Sequence, residues 1–178
     1  KYFSKNKVVL TGNPVRANII TKNRNEAIKD LGFDNSKRTI LVFGGSQGAH
    51  SVNYCFLEVL KYINSYKEKI QIIWATGEKD YQDISNLTKN CPIKTLISPF
   101  FVNMAEVYAI VDLAICRSGA TTIAELTTKG IPAIFIPYPY ATNNHQELNA
   151  DFVSSRSGSI TLLDKNLNGK VLANAIIY

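Results

Sequence analysis

Three observations predict one doubly wound α/β domain with a mainly parallel sheet. Strand-like apolar runs and amphipathic helix-like runs alternate along the whole 178 residues. The strand runs at 39–43 (TILVF) and 133–136 (AIFI) are almost continuously apolar, as strands covered on both faces are. The turns leading from strand to helix are short and glycine-rich, as in GGSQGA at 44–49 and RSGA at 117–120.

The elements follow in order. Residues 8–10 (VVL) read as a short strand. Asn23 starts a helix with Glu26 at the capping-box spacing, and Gly32 ends it. After the strand at 39–43 and its glycine turn comes a long helix, with Val52, Phe56, Val59, Leu60 and Ile63 on one stripe. A strand at 70–74 is closed by Gly77, and a helix runs from 78 to about 90. Next come a strand at 94–97, a short helix at 103–111 and a strand at 112–116. The helix at 121–129 is stopped by Gly130 and Pro132. A strand at 133–136, a polar loop at 137–143, a helix at 144–155, a strand at 159–162 and a helix at 165–177 complete the chain. Neither repeat nor linker interrupts this rhythm, so residues 1–178 read as a single domain.

Composition narrows the function. With 46% hydrophobic and 19% charged residues, the chain can bury a core, which excludes disorder as its main state. No apolar run approaches the roughly 20 residues that span a bilayer. The N-terminal stretch has no long apolar centre, so it does not read as a signal peptide. Lys plus Arg number 20 against 14 acids, a net charge of +6. That mild excess suits an anionic small molecule or an anionic membrane surface, and the lack of a basic block weighs against nucleic acid. Cys55, Cys91 and Cys116 are far apart, and only two histidines are present, so neither a disulfide framework nor a zinc site is offered. A reducing compartment fits. No Asp-x-Asp occurs to clamp a metal–diphosphate.

In doubly wound sheets ligands bind beyond the carboxyl ends of the strands, so chemistry belongs in five loops. GGSQGA offers a close backbone approach, a helix N-terminus and the Ser46 hydroxyl, the parts of a phosphate cradle. It is neither a Walker loop nor a Gly-x-Gly-x-x-Gly fingerprint, and the bland alternative is a tight turn. In CRSGATTIAE at 116–125, Ser118 and Gly119 mark another such turn, with Glu125 further into the helix. Glu125 is either a partner for vicinal ribose hydroxyls or a solvated helix residue. Arg117 can pair with phosphate or with an acid at the sheet edge. Phe100 and Phe101 are either walls for a base or core packing. The amide-rich loop ending in His145 and Gln146 suits a neutral sugar, with His145 a candidate general base, or is a helix-cap cluster. Arg16, after Gly12-Asn-Pro, closes a turn toward an anion or toward solvent.

Taken together and in this order, GNPVR (12–16), VFGGSQGA (42–49), Phe100 to Met104, CRSGATTIAE (116–125) and NNHQELNA (143–150) resemble the C-terminal half of the MurG family. Those bacterial glycosyltransferases add N-acetylglucosamine to a lipid-linked muramyl-pentapeptide in peptidoglycan synthesis. The resemblance implies a two-domain glycosyltransferase B fold with Rossmann-like halves. The half present here would bind UDP-N-acetylglucosamine, and the N-terminal acceptor half, for the lipid-linked acceptor, would lie outside this chain. The chain would then start in the interdomain stretch and stop before a final returning helix, with little or no transfer activity of its own. The same resemblance implies peripheral attachment to an anionic surface, the cytoplasmic face of the cell membrane. It implies no cofactor, no metal and no nucleic-acid partner.

Residue by residue, it implies that Ser46 contacts the diphosphate and that Arg16 lies near phosphate or uracil. Phe100 and Phe101 border the uracil with Met104 nearby, and the Phe101 backbone reads the base edge. Ala120 and Thr121 offer helix N-terminal contacts to phosphate. Glu125 binds the ribose, and His145 and Gln146 face the sugar. The reaction implied is inverting. The rival readings are another UDP-sugar enzyme, such as a glycolipid glycosyltransferase or a UDP-N-acetylglucosamine epimerase, and a non-enzymatic nucleotide-binding module. An epimerase would need more acids and histidines in its cleft.

Overall fold

The apolar runs fold as six strands: β1 (Arg38–Phe43), β2 (Ile70–Ala75), β3 (Thr95–Ser98), β4 (Leu113–Cys116), β5 (Ala133–Phe135) and β6 (Ile160–Thr161). The computed structural model describes residues 7–9, 11–156 and 158–177. The strands pair in parallel in the order β3-β2-β1-β4-β5-β6. The chain therefore grows the sheet outward from β1 in one direction, returns to its other side at β4, and grows it again. The carboxyl ends of β1 and β4 lie at that reversal. Register brings the strand ends level, with Phe43 opposite both Ala75 and Cys116, and Cys116 opposite Phe135.

The helices are α1 (Ala17–Thr21), α2 (Arg24–Leu31), α3 (His50–Ile63), α4 (Glu78–Leu87), α5 (Met104–Ile110), α6 (Ala120–Lys129), α7 (His145–Ser154) and α8 (Gly169–Ile177). Alternation along each strand sends neighbouring side chains to opposite faces. Leu41, Phe43, Ile73, Ala114, Cys116 and Phe135 pack in a core with residues of α1, α2, α5, α6 and α7. Ile40, Val42, Ile72, Trp74, Ile115 and Ile134 join a second core with α3, α4 and α8. Both faces are covered, which is why the strands are continuously apolar. Asn23 caps α2 by accepting from the Asn25 and Glu26 amides, and Gly32 ends it in the left-handed region.

Several sequence expectations change. Val8 and Val9 are exposed and lie outside any strand, while Leu10 falls outside the described residues. The sheet's first strand in the chain is β1, and neither valine joins its edge strands β3 and β6. The short helix α1 was not expected. α4 stops at Leu87, where the Thr88 hydroxyl turns back to the Ile84 carbonyl at 2.7 Å. α8 begins only at Gly169, after a 3-10 turn at Asp164–Asn166. There α8 lies so close to α3 that a Cβ on Gly169 would come within 2.5 Å of Glu58 Cβ.

Two glycine turns interlock above β1 and β2. Gly48 has φ +75°, and a Cβ there would stand 2.2 Å from the Thr76 carbonyl oxygen. A Cβ on Gly77 would meet the Gln47 carbonyl at 2.6 Å. Gly45 has φ +90° with open space around it. Gly48→Ala should therefore cost about 3 kcal/mol or more, from clash plus strain, and Gly45→Ala only about 1–2 kcal/mol, from strain alone. Urea unfolding midpoints measure both; equal losses would mean that the interlock carries no extra energy.

Candidate functional site

Beyond the ends of β1 and β4 the molecule opens a cleft of about 780 Å³. One wall is the loop and first turn at 44–51; the others include Arg117, Tyr138, Tyr140, Gln146 and Asp164. The loop is shaped by its glycines. The Gly48 amide closes a turn onto the Gly45 carbonyl at 3.0 Å, with both residues at positive φ. Ala49 precedes α3 as its N-cap and supplies no side-chain cap bond. The 14-residue helix therefore presents its first-turn N–H groups and positive dipole end at the cleft. Ser46 stands exposed on the same loop.

The far side of the cleft is held by Arg117. Its Nη1 donates to the Ile136 and Pro137 carbonyls at 3.0 Å each and to Asp164 at 2.5 Å, and its Nη2 donates to Ser51 Oγ at 2.9 Å. Ser51 in turn donates to Asp164 at 2.9 Å. Both charged side chains are largely shielded, 11% and 18% exposed. The structure thus decides for Arg117 between phosphate and an acid: in this state it is paired with the acid.

A second group surrounds Glu125 on α6. One oxygen accepts from the Tyr108 hydroxyl at 3.1 Å, and the other lies 3.8 Å from Arg16. The carboxylate is only 12% exposed, while Arg16 is 59% exposed. Burial, with help from the Glu125 charge, pushes the Tyr108 hydroxyl well above its usual titration range, so it remains a donor at neutral pH. Phe101 and Met104 pack partly buried against the core beneath this group, and Phe100 is half exposed.

Residues 39–177 match the model of the glycosyltransferase family 28 C-terminal domain. The chain belongs to this family. It is 44% identical over 176 residues to the UDP-N-acetylglucosamine--N-acetylmuramyl-(pentapeptide) pyrophosphoryl-undecaprenol N-acetylglucosamine transferase of Thermodesulfovibrio yellowstonii. It is 42% identical over 182 residues to the enzyme of the same name from Halothermothrix orenii. Each alignment covers 99% of this chain but 48% and 49% of those relatives, so the chain spans about half their length. The crystal structure of Acinetobacter baumannii MurG matches with a TM-score of 0.74 at 27% identity, over 96% of this chain and 48% of that one. Os79 from O. sativa, solved in complex with UDP, shares the fold at a TM-score of 0.65 and 19% identity, over 91% of this chain and 38% of that one.

Within this family 28 domain the expected site residues divide into groups. Ser46 and Gln146 line the main cleft. The Gln146 side-chain oxygen accepts the Tyr138 amide at 3.0 Å, and its main-chain carbonyl accepts Ser118 Oγ at 2.7 Å. Arg16 and Glu125 meet one another, next to Tyr108. Ala120 and Thr121 are exposed in the first turn of α6, whose N-cap Gly119 has no side-chain bond; neither lines the main cleft. His145 is also outside that lining, and its Nδ1 donates to the Thr142 carbonyl at 2.8 Å. The turn before it carries Asn143 and Asn144 at φ 53° and 52°, a region asparagine tolerates.

Sequence reasoning missed Tyr108, Asp164, His50 and Asp80, because each acts through partners 17 or more positions away. The buried thiols offer no nucleophile: burial pushes Cys55 up to about 12 and Cys116 further. Among the described residues no cluster of three or more His, Cys, Asp or Glu could hold a metal.

Asp164→Asn should destabilise the domain by about 2–3 kcal/mol, because it leaves a shielded guanidinium unpaired. Arg117→Lys should cost a similar amount, since an ammonium cannot reproduce the fork across four acceptors. The double variant should lose clearly less than the sum. Additive losses in chemical denaturation would show that the two residues act separately.

Proposed function

We propose that this chain is the donor-binding half of an inverting glycosyltransferase. It binds UDP-N-acetylglucosamine, and the whole enzyme transfers the sugar to a lipid-linked muramyl-pentapeptide. The observation that carries this reading is the uncapped N-terminus of α3 opening onto a roomy cleft at the sheet's reversal point. Backbone N–H groups and a helix dipole suit a diphosphate, and they do so without a metal. The kinship at 44% identity supports the choice of sugar nucleotide.

On this reading Ser46 and the first turn of α3 hold the diphosphate. The Glu125 carboxylate, oriented by Tyr108, accepts from the ribose hydroxyls. Arg16 swings its exposed guanidinium toward the nucleotide, Phe100 and Phe101 border the base near Met104, and the amides of the Gln146 loop face the sugar. As the bond from the sugar carbon to phosphate oxygen breaks, negative charge grows on the diphosphate. The fixed dipole of α3 is already oriented to receive it, so little reorganisation is needed. His145 serves no base role in this proposal, because its ring stands outside the cleft lining. The whole enzyme would work at the cytoplasmic face of the membrane, where a net charge of +6 suits an anionic surface. No helix among the described residues is long and apolar enough to cross the membrane.

UDP-N-acetylglucosamine at ~100 times its Kd should stabilise the folded chain by about 2.7 kcal/mol, with no loss on chelation by EDTA. Ser46→Ala should weaken UDP by about 1 kcal/mol and leave uridine unchanged. Glu125→Gln should weaken UDP more than dUDP, since the deoxy ligand already lacks one of the two hydroxyls. Thermal shift and calorimetric titration read all three. Equal weakening of UDP and dUDP would remove Glu125 from the ribose, and a tenfold loss on chelation would put a metal where the dipole is placed.

A further inference from the structure

His50 is the first residue of α3 and lines the cleft, with its side chain 72% exposed. Its Nδ1 lies 2.9 Å from Asp80 Oδ1, on α4. The carboxylate is 12% exposed, and its other oxygen accepts from Asn53 Nδ2 at 2.7 Å. Asn53 is fully buried; it also donates to the Thr76 carbonyl at 2.8 Å and accepts the indole N–H of Trp74 at 3.0 Å. Trp74 is itself fully buried in β2. A chain of hydrogen bonds therefore runs from the sheet core to an imidazole at the mouth of the cleft. Tyr54 packs on the ring, with centroids 4.3 Å apart.

This is more than a surface ion pair. An ionised carboxylate can only accept, so Nδ1 carries a proton and the tautomer is set. Nε2, which has no protein partner among the described residues, is the atom left to meet a ligand. The dipole at the helix N-terminus disfavours a protonated imidazole, while the Asp80 carboxylate on the Nδ1 side favours it. A diphosphate bound on the Nε2 side would add a second anion, so imidazolium and ligand should favour one another.

We propose that His50, oriented by Asp80, donates Nε2–H to a non-bridging phosphate oxygen of the donor and makes donor affinity rise as pH falls. The proposal rests on the donor reading above and adds a pH-sensitive contact to it. The groups facing the ring are Asp80 from α4 and Tyr54 on α3. Tyr54 in turn reaches Asp83 at 3.5 Å, and Arg117 and Asp164 occupy the same cleft but pair with each other. The diphosphate of a UDP-sugar is a diester and keeps its charge across this range. Asp80 is a positioning residue in this scheme, since it acts through the imidazole.

Calorimetric titration of the chain with UDP-N-acetylglucosamine and with uridine, at about pH 6 and about pH 8, tests the proposal, because imidazoles titrate between these values. The sugar nucleotide should bind about tenfold tighter at the lower pH, the scale of one charge-assisted hydrogen bond, with uridine unchanged. His50→Gln should abolish this pH dependence and bind about tenfold more weakly at the lower pH. Asp80→Asn should weaken binding of the sugar nucleotide in the parent chain, yet cost nothing further in the His50→Gln background. A purely structural aspartate would weaken both backgrounds alike and overturn the positioning role. A His50→Gln chain that melts like the parent and keeps its pH dependence would overturn the contact and leave the donor reading intact. Failure of the folded parent chain to bind UDP-N-acetylglucosamine at either pH would overturn both.

Discussion

The guanidinium of Arg117 ties together four parts of the chain at the carboxyl edge of the sheet. It leaves the end of β4, spans two carbonyls at the end of β5, pairs with Asp164 after β6 and reaches Ser51 in the first turn of α3. Parallel strands deliver all their carboxyl-end loops to one edge, but nothing in that geometry holds the loops at fixed separations. A planar fork with several donors does, and its charge is balanced at 2.5 Å by a shielded carboxylate. This knot fastens the first turn of α3 to the loops after β4, β5 and β6 that line the cleft.

That knot also explains where the site's charge lies. Arg117 is committed to Asp164, so beside the glycine loop the backbone dipole of α3 is the fixed source of attraction for an anion. The dipole of α3 cannot turn away or take up a competing partner as a side chain can. Arg16 is the contrasting case: it lies 3.8 Å from Glu125 and remains mostly exposed, so it keeps the freedom to move onto a ligand. On the proposed reading, fixed dipoles would serve the diphosphate and an adaptable cation the nucleotide end, a site preorganised where charge would develop.

Behind the glycine loop, the buried amide of Asn53 plays a similar part for the other wall. It fastens the indole of Trp74, the end of β2 and the carboxylate of Asp80 to α3. No buried side-chain nitrogen or oxygen among the described residues is left without a partner, so these polar groups cost the core little. The interlocked Gly48 and Gly77 turns set the two loops at a distance that side chains would not allow.

The fold was largely legible in the sequence because it is written in local chemistry. Continuously apolar strands such as 39–43 imply cover on both faces. Asn23, Gly32 and Gly130 mark helix ends by their own capping geometry. The glycine turns at 44–48 and 119 mark the carboxyl edge of the sheet, and the first of them lines the candidate cleft. The errors arose where local signals were weak: two valines at 8 and 9 look like a strand but join no sheet, and a 3-10 turn delays α8. Candidate residues inside motifs, such as Ser46, Glu125 and Gln146, were nameable from the sequence. Their partners were not. Whether Arg117 faces a phosphate or an acid depends on Asp164, 47 residues on; Glu125 is oriented by Tyr108, and His50 by Asp80. Motif spacing is a property of neighbouring residues, but a hydrogen bond between distant ones exists only after the sheet has been assembled. The sequence by itself determined the elements and the edge where chemistry belongs, and the packing of parallel strands decided which charges there are spent and which remain free.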